Sequence, residues 1–234
     1  MTSDEIQDAI TEYVILGTSS KWFKRWFGKS KAVDSQGTPL TFYHGSLSNK
    51  IEEFKLNERG RGFVSLSTRP SFANMYADRF RTYSSPLSGG GTVYPTYVKA
   101  EKIFDFRNKR MRRSYTRWYK KNKITGTGLS KLAIEHLRRQ SRELKRGSWA
   151  LIESPTVQGF LRERGYDAFY MVEEGMDSVR ALNIGVFNPT NIKSATGNAG
   201  TFSQASSDIN LSLDSKWFGN ELNRRLNLYQ LKAH

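Results

Sequence analysis

The stretch TFYHGSLSNK, residues 41–50, runs an extended segment into an imidazole, a glycine and a hydroxyl. The pattern predicts a short buried strand over 40–43, closed by His44-Gly45-Ser46. Two readings compete. One is a core histidine followed by a turn. The other is a rim that grips a ligand where a sheet gives way to a loop, a usual place for sites.

Working outward, GFVSLST (62–68) alternates Phe63, Ser65 and Ser67 against Val64 and Leu66, as a strand does. RPSFANMYADRF then starts a helix, with Thr68 as its cap and Pro70 in its first turn. Phe72, Met75 and Tyr76 share one face of it. SSPLSGGG (84–91) reads as a flexible loop. Further strands are expected in TVYPTYVKA, in KIFDFR, at 168–172 and at 184–187. Residues 3–16 read as an amphipathic helix with Ser3 as N-cap, and residues 214–234 as a C-terminal helix. In SSKWFKRWFGKSK the pairs Trp22-Phe23 and Trp26-Phe27 recur four apart and so share a helical face. That face either docks on the core or offers a stacking platform. Helix, strands, helix, strands predicts a single α+β domain over 1–234 with a small mixed sheet.

Composition bounds the chemistry. The chain has 234 residues, 37% of them hydrophobic, enough for one sizeable core. It has no cysteine, which excludes disulfides, thiolate catalysis and cysteine-based zinc sites. With three scattered histidines no metal site is expected. No apolar run approaches the roughly 20 residues that span a bilayer, and the first residues are acidic and polar rather than signal-like. The expectation is a cytoplasmic protein with no membrane partner. The net charge of +15 favours polyanions, nucleic acid foremost, although surplus charge alone carries no specificity.

The charge is concentrated. RNKRMRRSYTRWYKKNK (107–123) holds nine Lys and Arg, three aromatics and no acid. A run of like charge is usually a solvated face. Interleaved Tyr115, Trp118 and Tyr119 also suit base stacking beside phosphate contacts. Arg110, Arg112, Arg113, Arg117, Trp118, Lys120 and Lys121 are therefore candidates for contact with a nucleic-acid acceptor. Residues 128–147 follow as a basic helix, capped by Ser130 and ended by Gly147. Leu132, His136, Leu137 and Leu144 are placed along one side, with His136 structural or on the surface.

The chain has no GxGxxG and no phosphate-loop lysine motif, and no Ser/His/Asp set in a nucleophile-elbow context. What remains, at strand ends, is His44-Gly45-Ser46, Ser67-Thr68, Tyr76, and Glu173-Glu174. YHGS, then GFVSLSTRPSFANMYA, then a strand-borne acid, resembles the ADP-ribosyltransferases of the diphtheria-toxin and poly(ADP-ribose)-polymerase type. FKRWFGKSKAVDSQGTPLTFYHGS, GGGTVYPTYVKA, GYDAFYMVEEG and NIGVFNPTNIKSATGNAGTFSQASSDI resemble the transferase modules of phage polyvalent proteins. The resemblance spans about 21–210. It covers the basic helical segment 107–147 and the C-terminal helix poorly.

The resemblance implies a pair of small sheets with flanking helices, gripping NAD⁺ as co-substrate in a cleft between them, without a metal. His44 would bond a ribose hydroxyl and the Gly45 backbone the nicotinamide amide, with Ser46 beside them. Glycine allows such close backbone approach. Ser67, Thr68 and Tyr76 would complete the grip, with the Tyr76 ring on nicotinamide. Leu66 stands where many relatives carry an aromatic, so Phe63 or Phe72 would supply that wall if Leu66 does not. A carboxylate would steady the transition state as nicotinamide leaves. Glu173 is the first choice and Glu174 the second, while analogy with the polymerases points to Asn183, an amide.

The implied activity is mono-ADP-ribosyl transfer from NAD⁺ to RNA or DNA, in a toxin or phage-conflict role. A nucleic-acid-bound protein as acceptor, NAD⁺ hydrolysis and a non-catalytic NAD-fold binding module stay open. An acidic inhibitory partner would also suit the basic surface.

Overall fold

The computed structural model describes residues 3–56, 62–78, 91–124, 130–174 and 180–210. The expected C-terminal helix, and most of the 84–91 loop, lie outside the described residues. The helices are α1 (Ser3–Leu16), α2 (Lys21–Phe27), α3 (Pro70–Ala77), α4 (Lys109–Lys123), α5 (Lys131–Lys145), α6 (Trp149–Ile152) and α7 (Pro155–Glu163). The strands are β1 (Thr41–Ser46), β2 (Val64–Ser67), β3 (Thr92–Val98), β4 (Ile103–Asp105), β5 (Ala168–Glu174), β6 (Arg180–Val186) and β7 (Ile192–Ser194).

The protein is α+β, as expected. Among the described residues, the strands form one seven-stranded mixed sheet, ordered β4-β5-β6-β2-β1-β3-β7, in place of two separate sheets. All neighbours are antiparallel except β4 and β5. The expected division survives inside it. β1 pairs with β3 along its whole length, and β2 with β6 along its own. β1 and β2 meet only at Tyr43 opposite Ser67. The sheet is thus two halves joined at one residue pair.

Period-two alternation fills both faces. Phe42, Val64, Leu66, Ile184 and Val186 form the core on one face. Phe63, Phe104, Phe169 and Met171 point to the other, where Tyr115 and Trp118 of α4, Leu144 of α5 and Phe160 of α7 cover them. The basic segment is therefore an integral layer of the domain. Phe23, Trp26 and Phe27 of α2 pack with Phe202, so those aromatics dock the helix on the core.

Several local expectations shift for identifiable reasons. β1 extends through Ser46, because β3 continues to pair with it as far as Thr92. β5 extends to Glu174, opposite Arg180 on β6. Thr68 does not cap α3; its hydroxyl donates to the Leu182 carbonyl at 3.0 Å, and Arg69 is the N-cap residue. On α5 the Ser130 cap and the Gly147 ending are as expected. Leu137 and Leu144 are buried there, but Leu132 is 83% exposed, and His136 is also exposed.

The block NPTNIKSATGN closes the sheet edge. Lys193 of β7 is fully buried, and its ammonium donates to the Ser206 and Asp208 carbonyls at 2.7 and 2.8 Å. Burial lowers its pKa from 10.5 to about 8, against the pull of Asp208 and Glu53. The unfolded chain therefore holds a proton that the folded chain has released between those values. Stability should rise with pH across that window. Denaturant unfolding of wild type against Lys193→Met will show the slope in the first protein only; parallel profiles would contradict this placement.

Candidate active site

Tyr43 to Gly45 of β1, Ser65 to Ser67 of β2, Phe72, Ala73 and Tyr76 of α3, and Asn183 of β6 line a small open cleft. It opens where the two halves of the sheet part. Continuing the β1–β2 ladder past Tyr43–Ser67 would set Gly45 against Ser65. Instead, the Ser65 carbonyl lies 2.9 Å from His44 Nδ1. A carbonyl only accepts, so Nδ1 carries the hydrogen and Nε2 of the neutral ring keeps its lone pair. Burial, partly offset by this hydrogen bond, lowers the His44 pKa below 6.5. The ring also meets the Phe54 edge, with centroids 4.9 Å apart. His44 is thus an oriented, neutral acceptor, suited to a hydroxyl donor.

Gly45 has a structural reason as well. A Cβ there would sit 1.7 Å from the Ala73 carbonyl oxygen. The close backbone approach the glycine allows is that of α3, which brings Phe72 and Tyr76 over β1. Phe72 is 5% exposed and lies 5.8 Å from the Tyr76 ring, centroid to centroid. Leu66 and Phe72 are wall residues of the cleft. Phe63 is not; it stacks on Trp149 in the helix-covered core.

The acid is held from two sides. Tyr76 Oη donates to Glu173 Oε1 at 3.1 Å, and Asn183 Nδ2 donates to Glu173 Oε2 at 2.7 Å. Register explains the second bond. Glu173 faces Ala181 and Met171 faces Asn183, so Glu173 and Asn183 are diagonal neighbours on one face. Two of the three positions weighed for the acid, Glu173 and Asn183, prove to be partners. Asn183 is 1% exposed, and its Oδ1 is buried without a hydrogen-bond partner beside the cleft. Glu174 is exposed and falls on the opposite face.

The remaining expected residues divide. Ser67 is buried in the cleft wall, and its Oγ accepts from the Arg69 amide at 3.1 Å. Thr68 and Ser46 do not line the cleft: the Thr68 hydroxyl is bound to β6, and Ser46 Oγ accepts from the Ser48 amide. Sequence reasoning missed the Ser65 carbonyl, which no side-chain pattern reveals.

On α4, Arg110, Arg113, Arg117, Lys120 and Lys121 are exposed. Arg112 and Trp118 are each only 7% exposed, and these two are corrections. Arg112 Nη1 donates to the Phe106 carbonyl, and Trp118 Nε1 donates to Glu163 at 2.9 Å. Tyr115 is buried too, so the aromatic stripe packs inward and leaves the cations outside. Gly147, with φ 79°, pins the end of α5 to β5: a Cβ there would lie 1.9 Å from the Val172 carbonyl. The basic end of α5 therefore abuts the residue before Glu173.

The family model described as ADP-ribosyltransferase in polyvalent proteins matches residues 34–202. The chain belongs to this ADP-ribosyltransferase family. The match runs through the basic helices α4 and α5. No curated protein and no solved structure matches the chain. Among the described residues, no group of three or more His, Asp or Glu could hold a metal ion, and no helix is long and apolar enough to cross a membrane.

If α3 rests on β1 through Gly45, then Gly45→Ala must displace a backbone rather than a side chain. The expected cost is at least about 2 kcal/mol of stability, read as a lowered midpoint in thermal unfolding. An unchanged midpoint would refute the close packing.

Proposed function

We propose that this transferase takes ADP-ribose from NAD⁺ and passes it to a nucleic-acid acceptor, as an effector in conflict between mobile elements and their hosts. The observation that carries the catalytic reading is that Tyr76 and Asn183, which line the cleft with His44, both bond Glu173, which lies just outside the lining. NAD⁺ supplies the ADP-ribosyl group, with nicotinamide as its leaving group. The cleft suits part of such a ligand. Its wall holds His44, whose Nε2 is an acceptor, and Asn183, whose amide steadies the acid.

His44 Nε2 accepts a ribose hydroxyl. The Tyr76 ring and the Gly45 backbone flank the nicotinamide. Glu173 keeps a negative charge near the cation that develops as the glycosidic bond weakens. Because Tyr76 and Asn183 already hold both its oxygens, little reorganisation is needed as that charge appears. A remaining lone pair of Glu173 is available to orient the incoming nucleophile. The acceptor assignment rests on the +15 charge and the exposed cations of α4 and α5.

Incubation with NAD⁺ labelled in its ADP-ribose portion and cell lysate tests the whole reading. The expected product is macromolecular label released by nuclease. Release by protease would move the acceptor to protein, and free ADP-ribose alone would mean hydrolysis. No consumption of NAD⁺ would leave a binding module. Glu173→Gln should lower turnover by about 10²- to 10³-fold with the fold intact by circular dichroism; full activity would remove Glu173 from the mechanism. By calorimetry, NAD⁺ affinity should hold steady as pH falls to 6.5 and weaken only below it, because burial keeps His44 neutral.

A further inference from the structure

One stripe of α4 stays outside the layer that the helix builds. Arg110, Arg113, Arg117 and Lys121 are exposed, and at three- to four-residue spacing they share a face. Between α4 and the end of α7 this stripe borders a second pocket, which shares no lining residue with the His44 cleft. Arg117 and Lys121 reach it from α4, and Arg164, the C-cap residue of α7, from the other side. No Asp or Glu among the described residues lines it. The neighbouring Glu163 is engaged by the Trp118 indole. None of the three cations forms an ion pair among the described residues. Like charges gathered without a counter-charge repel one another, and an anion in the pocket would relieve that repulsion.

The surroundings select the kind of anion. Trp118 and Phe160 also line the pocket, but they are only 7% and 2% exposed. They leave little apolar surface for a partner protein to anchor on, and protein interfaces draw most of their energy from such anchors. A polynucleotide backbone needs none, because Lys and Arg along its phosphates supply the binding. The stripe repeats about once per helical turn, roughly 5.4 Å, and so offers successive contacts to an extended polyanion. Its place relative to the acid also matters. Tyr166, a further lining residue, precedes β5, and Glu173 lies near the far end of that strand. The near-extended chain between them spans roughly 20 Å, well beyond the screening distance of about 8–10 Å. Both lie toward one face of the sheet, because Glu173 alternates with Phe169 and Met171, which α4 and α7 cover.

We propose that Arg117, Lys121 and Arg164 form an exosite that holds the sugar-phosphate backbone of a nucleic acid at a distance from the acid. It supplies affinity and register, and no chemistry. Its role as an anchor for the acceptor rests on the nucleic-acid reading above; the binding itself does not.

A triple variant, Arg117→Gln with Lys121→Gln and Arg164→Gln, changes only exposed positions. Fluorescence anisotropy with labelled RNA and DNA of mixed sequence, single-stranded and duplex, reads the binding. The triple variant should bind at least about tenfold more weakly than wild type, and its slope of log K against log salt should be shallower by about 2 to 3. A control triple, Lys24→Gln with Arg25→Gln and Lys55→Gln, removes the same charge at exposed positions elsewhere and should bind as wild type does. NAD⁺ affinity by calorimetry should be the same in all three proteins. Duplexes shorter than about six base pairs, at roughly 3.4 Å each, cannot span cleft and exosite, so wild type and triple variant should modify them alike. Equal weakening in the control would reduce the effect to net charge and overturn the proposal. Unchanged nucleic-acid binding in the first triple would do the same. A polyglutamate peptide bound more tightly than RNA or DNA would also overturn it, in favour of an acidic protein. Label on protein in the lysate, with nucleic-acid binding still lost in the first triple, would keep the exosite and move only the acceptor.

Discussion

Everything at the cleft follows from a ladder that stops. β1 and β2 touch at Tyr43 and Ser67 and then part. Backbone groups released from a ladder must find other partners or face a desolvation cost. Here the imidazole of His44 reaches the Ser65 carbonyl. That bond settles the tautomer, and burial settles the charge state, so one interaction produces a neutral ring with a single free acceptor. The gap also admits α3, which lies against Gly45 closely enough to exclude any side chain there. Tyr76 reaches the site only because α3 sits that close.

The acid depends on the same geometry from the opposite half of the sheet. Glu173 is positioned by β5–β6 register, and its two oxygens are taken by a phenol from α3 and an amide from β6. One donor comes from 97 residues away and the other from 10. A carboxylate held this way has lost most of its rotamer freedom before any ligand arrives. That favours electrostatic stabilisation of a developing positive charge, since the charge meets a fixed dipole environment instead of one that must reorganise. It also couples the two halves of the sheet, because Tyr76 packs over β1 while Glu173 belongs to β5.

Much of this was legible in the sequence, and the failures are instructive. Strand and helix patterns marked His44, Ser67, Tyr76 and Glu173 as residues at or near element ends, and the resemblance to ADP-ribosyltransferases joined them into one ordered site. The partnership of Asn183 with Glu173 was not, since it depends on a strand register that no local pattern encodes. The Thr68 cap failed because a carbonyl of β6, 114 residues away, competed for the hydroxyl. Trp118 and Arg112 were misplaced for a different reason. Their spacing with Tyr115, at 112, 115 and 118, is a helical stripe that marks a buried face. Extreme basic composition drew attention from it. The aliphatic stem and planar head of an arginine can be buried when a carbonyl meets the guanidinium, as the Phe106 carbonyl does here.

That partition changes how the positive charge can act. On the proposed nucleic-acid reading, the exposed cations of α4 would make mainly phosphate-type contacts, which position a polyanion without reading its bases. Sequence preference would then have to arise at the cleft itself. The geometry of α5 sharpens the point. Screening confines the influence of an exposed charge to about 8–10 Å under ordinary salt, so most cations on a long helix cannot affect the reacting centre. Gly147 fixes the end of α5 against Val172, one residue from Glu173. Arg142, Lys145 and Arg146 close that helix, all three exposed. On the proposed nucleic-acid reading, Lys145 and Arg146, with Arg69 beside Ser67 and Arg180 opposite Glu174, would hold a phosphate backbone near the acid.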